Sequence, residues 1–381
     1  MLKKLNIFQR IFYAFCGQGK LRKLRTSIFC VLVSIIFGGI ILLLLGKNPI
    51  IAYKSLLQGS GILSKVKYPG RKSQLTDFLN LLDYTTPMIF ASLSVAVALK
   101  CGLFNICVSG TMIFAGIIAT VLIGYSNIDP ALARILVVLI GIVAGGLLGA
   151  LIGWLKYRFN MNEVIVSIML NYIISYIASF LINSYFADPV SRESVQIGQN
   201  ARLTLKNVEA MGLKMDISLL FPFAILVVFL IDFLMKRTKL GFELKSVGNS
   251  NLASKYAGMN VKRTMILSMI ISGALAGIAG VAFYLGSYGS IQPRVLPTLG
   301  FDAIAVALLG FITPIGCFFA AILVTIFQCG TSYLSSRLGV LREIAALITS
   351  VLLLVSACAL YFNQKADSYQ NKYLIGDEKD E

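Results

Sequence analysis

The sequence has no histidine, one tryptophan and only 17 acidic residues in 381. Without histidine, the commonest general base and the commonest metal ligand are both missing. Seven cysteines occur, but none forms a CxxC pair. Cys30, Cys101, Cys107, Cys317, Cys329 and Cys358 lie in or beside apolar runs, which marks them as small packing residues and not as a metal or disulfide framework. The pattern GxxxxGK[ST] is matched nowhere, and "GQGKL" (Gly17–Leu21) has the wrong spacing. If ATP drives this protein, another chain must bind it. HExxH, a GxSxG context and a carboxylate pair flanking a polar pocket are also missing, so a membrane-embedded enzyme has little support. No metal and no cofactor is expected.

What the sequence does have is apolar length. Hydrophobic residues make up 57% of the chain and charged ones 13%. The apolar residues fall into runs of about 20, enough to cross a hydrocarbon core of about 30 Å as helices. These features predict an all-α polytopic membrane protein. The net charge of +17 sits in short segments flanking the apolar runs, which is a topology signal and argues against nucleic acid as a partner.

Ten apolar segments are expected, near 26–46, 84–101, 102–125, 131–155, 163–187, 217–235, 264–285, a half-helix "FDAIAVALLGFI", 315–335 and 341–362. Residues 1–25 form a basic segment without acidic residues and without a small-residue cleavage site, read as an uncleaved cytoplasmic anchor. The polar stretches 47–83 and 188–216 read as connectors, the second as an external loop. Ten crossings return an acidic tail, 363–381, to the cytoplasm. They also place 236–263 there, with seven basic residues and one acidic. The second and third segments are separated only by "KCGLFN", which suggests broken or re-entrant helices. Gly141, Gly145, Gly149 and Gly153, and later Gly273 and Gly277, recur every four residues and mark faces where another helix approaches closely. The short segments "GLFNICVSG" and "LGFDAIAVALLG", one in each half, point to an internal repeat and to irregular backbone near a pathway.

Few polar residues interrupt the apolar runs. Asn171 and Tyr172 lie about two turns into one of them, behind Asn162 and Glu163. Unsatisfied polar groups are costly there, so Asn171 and Tyr172 either hydrogen-bond a neighbouring helix or face a water-filled path. The ring of Tyr172 suits either packing or stacking on a flat solute. Asp302 opens the half-helix, as a helix-capping carboxylate or a solute contact. Asp232 and Lys236, four apart, read as an interfacial ion pair. Lys100 snorkels to the interface.

Five blocks in order, "GLFNICVSG", "NEVIVSIMLNYI", "TKLGFELKSVGNSNLASKYAGMNVKR", "SGALAGIAG" and "GFDAIAVALLG", resemble the permease subunits of bacterial ABC importers of the ribose, branched-chain amino acid and nucleoside group. They cover roughly residues 84–330 and are most similar to the general nucleoside importer permeases. The resemblance implies the type II importer architecture, similar to the cobalamin importer permease, with about ten helices. It implies an ATPase partner with two fused nucleotide-binding domains, a second, non-identical permease and a lipid-anchored solute-binding protein. All of these would work at a bacterial cytoplasmic membrane. The cytoplasmic segment 236–263 would then carry coupling helices that dock on the ATPase, with Gly241, Gly248, Ala253, Ala257 and Gly258 as small docking residues. Lys245 and Lys255 would orient the contact. The substrate path would run past Asn105, Ser109, Thr111, Asn162, Glu163, Asn171, Tyr172 and Asp302. After "FNI" the family pattern reads glycine, an acidic residue, glycine and glutamine, whereas here Cys107, Val108, Ser109, Gly110 and Thr111 follow. Sugar or branched-chain amino acid cargo is the alternative within this class, and an ion-coupled secondary transporter the alternative outside it.

Overall fold

The computed structural model describes residues 12, 15–17, 22–65, 68, 72–126, 128–210, 213–359 and 361–368. In chain order the helices are α1 (Arg22–Leu44), α2 (Pro49–Gly59), α3 (Gln74–Lys100), α4 (Val108–Ala119), α5 (Pro130–Phe159) and α6 (Glu163–Leu181). An antiparallel hairpin follows, β1 (Thr204–Ala210) and β2 (Leu213–Ser218). Then come α7 (Leu220–Arg237), α8 (Lys239–Asn249), α9 (Asn251–Tyr256), α10 (Val261–Val281), α11 (Leu299–Leu309), α12 (Pro314–Leu338) and α13 (Arg342–Ala357). Helices α4, α6 and α10 each run on into a π-helical turn.

Each of the ten expected apolar segments is helical. Six helices (α1, α3, α5, α6, α10 and α12) are long and apolar enough to cross a membrane. A seventh candidate is the pair Ala346–Ala357 and Tyr361–Ser368, bent by 45°. Helices α4 and α11 are short apolar helices, and α7 carries Asp232, Lys236 and Arg237 within its 18 residues. The chain is an all-α polytopic membrane protein, and the hairpin is its two-stranded sheet among the described residues.

Three elements depart from the sequence-based expectation. Residues 47–83 are not a plain connector, because α2 starts at Asn48–Pro49, where the Asn48 side chain accepts from Ile50 N–H at 3.0 Å. Proline at the first helical position suits such a start. Helix α3 begins ten residues earlier than its apolar run. Its first turns are polar because they face other parts of the protein, with Asp77 bound to Lys65 at 2.6 Å and Thr76 donating to the Lys214 carbonyl at 3.2 Å. The expected loop 188–216 ends in the hairpin. Residues 1–11 and 369–381 lie outside the described residues. Of the segments next to them, Arg22 pairs with Asp367 at 2.9 Å and Thr26 donates to Asn363 at 2.7 Å.

The core sits along α3, where Met88 to Val97 are buried among residues of α7, α10, α11 and α12. Helix α3 has 27 residues and is about 40 Å long at 1.5 Å per residue. The hairpin meets its first turns, and α8 meets its last one at Lys100. These contacts define a hairpin end and a basic end of the bundle.

Helices α5 and α10 make the tightest crossing. Gly141, Gly145 and Gly149 on α5 lie directly against Gly273, Gly277 and the Met269 carbonyl on α10. A methyl group on Gly145 would collide with the Gly273 carbonyl and lie 2.8 Å from the Gly277 nitrogen. One on its neighbour Gly146 would make ordinary contacts of 3.8 and 3.9 Å with Ile270 and Ala274. Gly145→Ala is therefore expected to cost roughly 1–3 kcal/mol through overpacking. Gly146→Ala should be neutral or slightly stabilising, because alanine is the better helix former. Thermal unfolding of the two detergent-purified variants checks this, and equal midpoints would contradict the packing account.

Candidate permeation cavity and basic-end helices

The first broken segment is built from polar groups that point inward. After α3 the chain turns at Gly102, where φ is +73°, and Asn105 folds back. Its side chain accepts from Cys107 N–H at 3.0 Å and donates to Ser272 Oγ at 2.8 Å, and Ser272 also meets Ser94 at 3.0 Å. Asn171 of α6 clamps the same turn, accepting from Gly110 N–H at 2.7 Å and donating to the Ile106 carbonyl at 3.0 Å. Ser109 donates to the Pro297 carbonyl at 2.8 Å, and Thr111 to the Cys107 carbonyl at 2.8 Å. Asn105, Ser109, Thr111 and Asn171 are thus brought together, buried and hydrogen-bonded within the protein. Ser109 also touches Gly300, so the end of the first short segment singled out in the sequence meets the start of the second.

The other candidates lie elsewhere. Asn162 caps α6, accepting from Val164 N–H at 2.9 Å. Glu163 pairs with Lys156 at 2.7 Å. Tyr172 is half exposed on the outer face of α6, along a row with Ile173, Tyr176 and Phe180. Asp302 lines a cavity of about 650 Å³ in the hairpin half of the molecule.

That cavity has a polar lining drawn from several helices. Asp77, Asn80, Leu81 and Tyr84, spaced for one helical face, form one wall from α3. Phe283 and Tyr288 of the π turn after α10 form another, their rings 4.5 Å apart. Asp302 of α11 and Gln328 of α12 close the third wall, with Gln328 donating to Asp302 at 3.0 Å. Asp77 is neutralised by Lys65, so Asp302 is the carboxylate in the lining that no lysine or arginine pairs among the described residues. Tyr84 and Tyr288 are about half exposed, and together with Asp302, Gln328 and Asn80 they give the cavity flat apolar faces and hydrogen-bonding edges. Sequence reasoning missed Asn80, Tyr84, Tyr288 and Gln328. The α3 periodicity was a usable signal for the first two.

The hairpin holds this aromatic pair in place. Thr204 of β1 donates to Asp83 at 2.6 Å, and Lys206 donates to the Ser287 carbonyl at 2.9 Å. Burial, and then the Arg202 charge, lower the Lys206 pKa. Asp83 precedes Tyr84 and Ser287 precedes Tyr288, so two strand positions, two residues apart, hold the backbone beside both tyrosines.

At the basic end, segment 236–263 is two capped helices. Thr238 accepts from Gly241 N–H at 3.2 Å to start α8, and Ser250 accepts from Ala253 N–H at 3.3 Å to start α9. Asn260 accepts from Arg263 N–H at 3.1 Å to start α10. Gly241 is pressed on the Leu234 and Met235 carbonyls, and Gly248 on the Lys100 carbonyl, so both lie against α7 and α3 respectively. Lys245, Ala253, Lys255, Ala257 and Gly258 are exposed, and Gly258 sits at φ +77° with nothing packed on it. Beside them Leu252 is 72% exposed and Tyr256 91%. This pair, four residues apart on one helix face, was not singled out from the sequence.

A family model described as the branched-chain amino acid transport system / permease component matches residues 78–357. The chain belongs to this permease family. As such a permease it is a multi-pass protein of the cytoplasmic membrane, and its family is a component of ABC transporters, which work with ATPase and substrate-binding partners. The permease is 34% identical to the nucleoside ABC transporter permease protein NupB of Lactococcus lactis subsp. cremoris over 88% of this chain and 91% of that one. It is 32% identical to the guanosine ABC transporter permease protein NupP of Bacillus subtilis, over 94% and 97%. It is 28% identical to the glucose ABC transporter permease protein TsgB13 of Haloferax volcanii, over 89% and 88%.

Removing the hairpin's grip on this permease has a direct readout. Thr204→Val and Lys206→Met are expected to speed hydrogen exchange in 204–218 and in 282–289 together, while 88–97 stays protected. Faster exchange in the hairpin alone would show that it does not hold the tyrosine-bearing turn.

Proposed function

We propose that this chain is the membrane-spanning subunit of an ATP-driven importer that moves nucleosides into the cytoplasm. The similarity to nucleoside and guanosine permeases over about nine-tenths of the chain carries this reading. The cavity chemistry supports it. A nucleoside has a flat base for Tyr84 and Tyr288, and a polar edge and ribose hydroxyls for Asn80, Asp302 and Gln328. The chain performs no chemistry on its cargo. ATP is hydrolysed by a partner subunit with two fused nucleotide-binding domains, a second, non-identical permease completes the pathway, and a lipid-anchored solute-binding protein delivers the cargo.

In this reading the basic end, 236–263, faces the cytoplasm, as positive charge favours. The α8–α9 surface docks on the ATPase, with Leu252 and Tyr256 entering a groove and Lys245 and Lys255 orienting them. Gly258 ends α9 in the left-handed conformation that glycine adopts freely and keeps that surface clear. Gly241 and Gly248 join the docking helices to α7 and α3, so that movement at the ATPase reaches the bundle. The broken segments, held by Asn105, Ser109, Thr111 and Asn171, support the wall of the path. Asn162 and Glu163 fix the start of α6, and Tyr172 faces a lipid or a second subunit.

A strain lacking this gene is expected to lose uptake of labelled uridine or guanosine and regain it with the wild-type gene. Tyr288→Ala should raise the KM about tenfold, within the range of one lost aromatic–base stack. Unchanged nucleoside uptake together with lost sugar uptake would replace the cargo, a second reading that the 28% identity to a glucose permease keeps in view.

Coupling is tested apart from cargo. Leu252→Ala with Tyr256→Ala should leave the fold intact, since both side chains are exposed, and should weaken co-purification of the ATPase at least tenfold, as loss of a buried aromatic anchor does at other interfaces. Undiminished co-purification would place the ATPase contact elsewhere.

A further inference from the structure

A second cavity, of about 500 Å³, lies between α7, α8 and α10 and belongs neither to the permeation cavity nor to the exposed face of α9. Leu230, Phe233 and Leu234 of α7 and Leu267 of α10 form its walls, and Leu240 of α8 closes one side. Leu230 and Phe233 are more than half exposed, so the walls open outward, where a membrane helix meets hydrocarbon. From Leu230 to Thr238 the groove follows the end of α7 for about 12 Å at 1.5 Å per residue. At its mouth stand Thr238, Lys239, Glu243 and Arg263. Glu243 is engaged by Lys239 at 3.9 Å and by Thr264 at 3.3 Å, and Asp232 by Lys236 at 2.8 Å. No ion pair is seen for Arg237 or Arg263 among the described residues. The mouth therefore combines a surplus of positive charge with an apolar slot that runs into the bilayer.

We propose that this groove binds an anionic phospholipid, with its phosphate on Arg263 and Lys239 and an acyl chain along Leu230, Phe233, Leu234 and Leu267. The occupant follows from charge and shape together. A soluble anion leaves the apolar slot empty, and a zwitterionic lipid brings a second positive charge to a basic mouth. A basic pocket between membrane helices at the interface suits an anionic headgroup. The lipid touches the last turns of α7, the start of α8 and the first turns of α10, so it braces both junctions of the 236–263 segment. Only the membrane setting of α7 and α10 is required, and the cargo is not, so failure here leaves the nucleoside reading untouched.

Native mass spectrometry of the full-length chain, purified in its own assembly and stripped of lipid, tests this with added phosphatidylglycerol or with phosphatidylcholine of the same acyl chains. Phosphatidylglycerol adducts should survive gas-phase activation that removes phosphatidylcholine. Arg263→Gln and Lys239→Gln should each weaken phosphatidylglycerol retention about fivefold, the loss of one basic residue at a membrane surface. Leu230→Trp, which fills the slot and keeps every charge, should weaken it as much, and millimolar inorganic phosphate should not compete. Equal retention of the two lipids, unchanged retention in all three variants, or displacement by inorganic phosphate would each overturn the assignment.

Discussion

Backbone contact between α5 and α10 is the constraint on which most of the structure depends. Inside a bilayer, apolar side chains gain little by leaving lipid for protein, so helices hold together through close packing and hydrogen bonds. Glycines every four residues on both helices let the two backbones touch. That fixes α10 in position, and α10 then positions the rest. Its Ser272 receives Asn105 and Ser94, its Gly280 lies against Met112 of α4, and its π turn carries Phe283 and Tyr288 into the cavity. One close crossing thereby orders both a broken segment and an aromatic wall.

The broken segments need a second kind of support. A turn within the bundle exposes amide and carbonyl groups that water does not reach, and each must find a partner. Asn171 supplies two at once, to Gly110 and Ile106, and Asn105 supplies one to Cys107. Polar side chains inside an apolar run can either hold such a turn or line a path, and the sequence does not distinguish these uses. Asn171, left open between the two on sequence, has both of its amide atoms committed to the turn.

Apolar segments were legible because hydropathy is a property of consecutive residues. The ten runs, the tight break at "KCGLFN" and the glycine-lined crossing face could all be read directly. Less legible was whatever depends on residues far apart. The first turns of α3 were read as a connector because they are polar, and they are polar because Asp77, Asn80 and Asp83 face Lys65, a cavity and the hairpin. Hairpin and cavity join residues from 59 to 353, and no local pattern announces that. Glycine was ambiguous in the same way. Gly241 and Gly248 lie against α7 and α3, while Gly258 stands open, yet the three look alike in sequence.

The long helix α3 connects these regions, and its weakest point is where the cavity begins. Pro87 has no N–H to give, so the Asp83 carbonyl loses its helical partner. Just before it, Thr85 and Thr86 donate to the Leu81 and Leu82 carbonyls at 2.6 and 2.8 Å, a pattern that bends helices. The same turn carries Asp83, held by Thr204, and Tyr84, which faces the cavity. Below it, Met88 to Val97 are packed on all sides and end at Lys100, against Gly248. A well-packed rod thus begins at the basic end and meets a softened turn at the cavity. In the proposed importer, a shift of α8 would be carried along the packed part and taken up as bending near Tyr84, against the hold of the hairpin. The hairpin grip and the Gly248 contact therefore act on opposite ends of one helix, with Tyr84 next to the first of them.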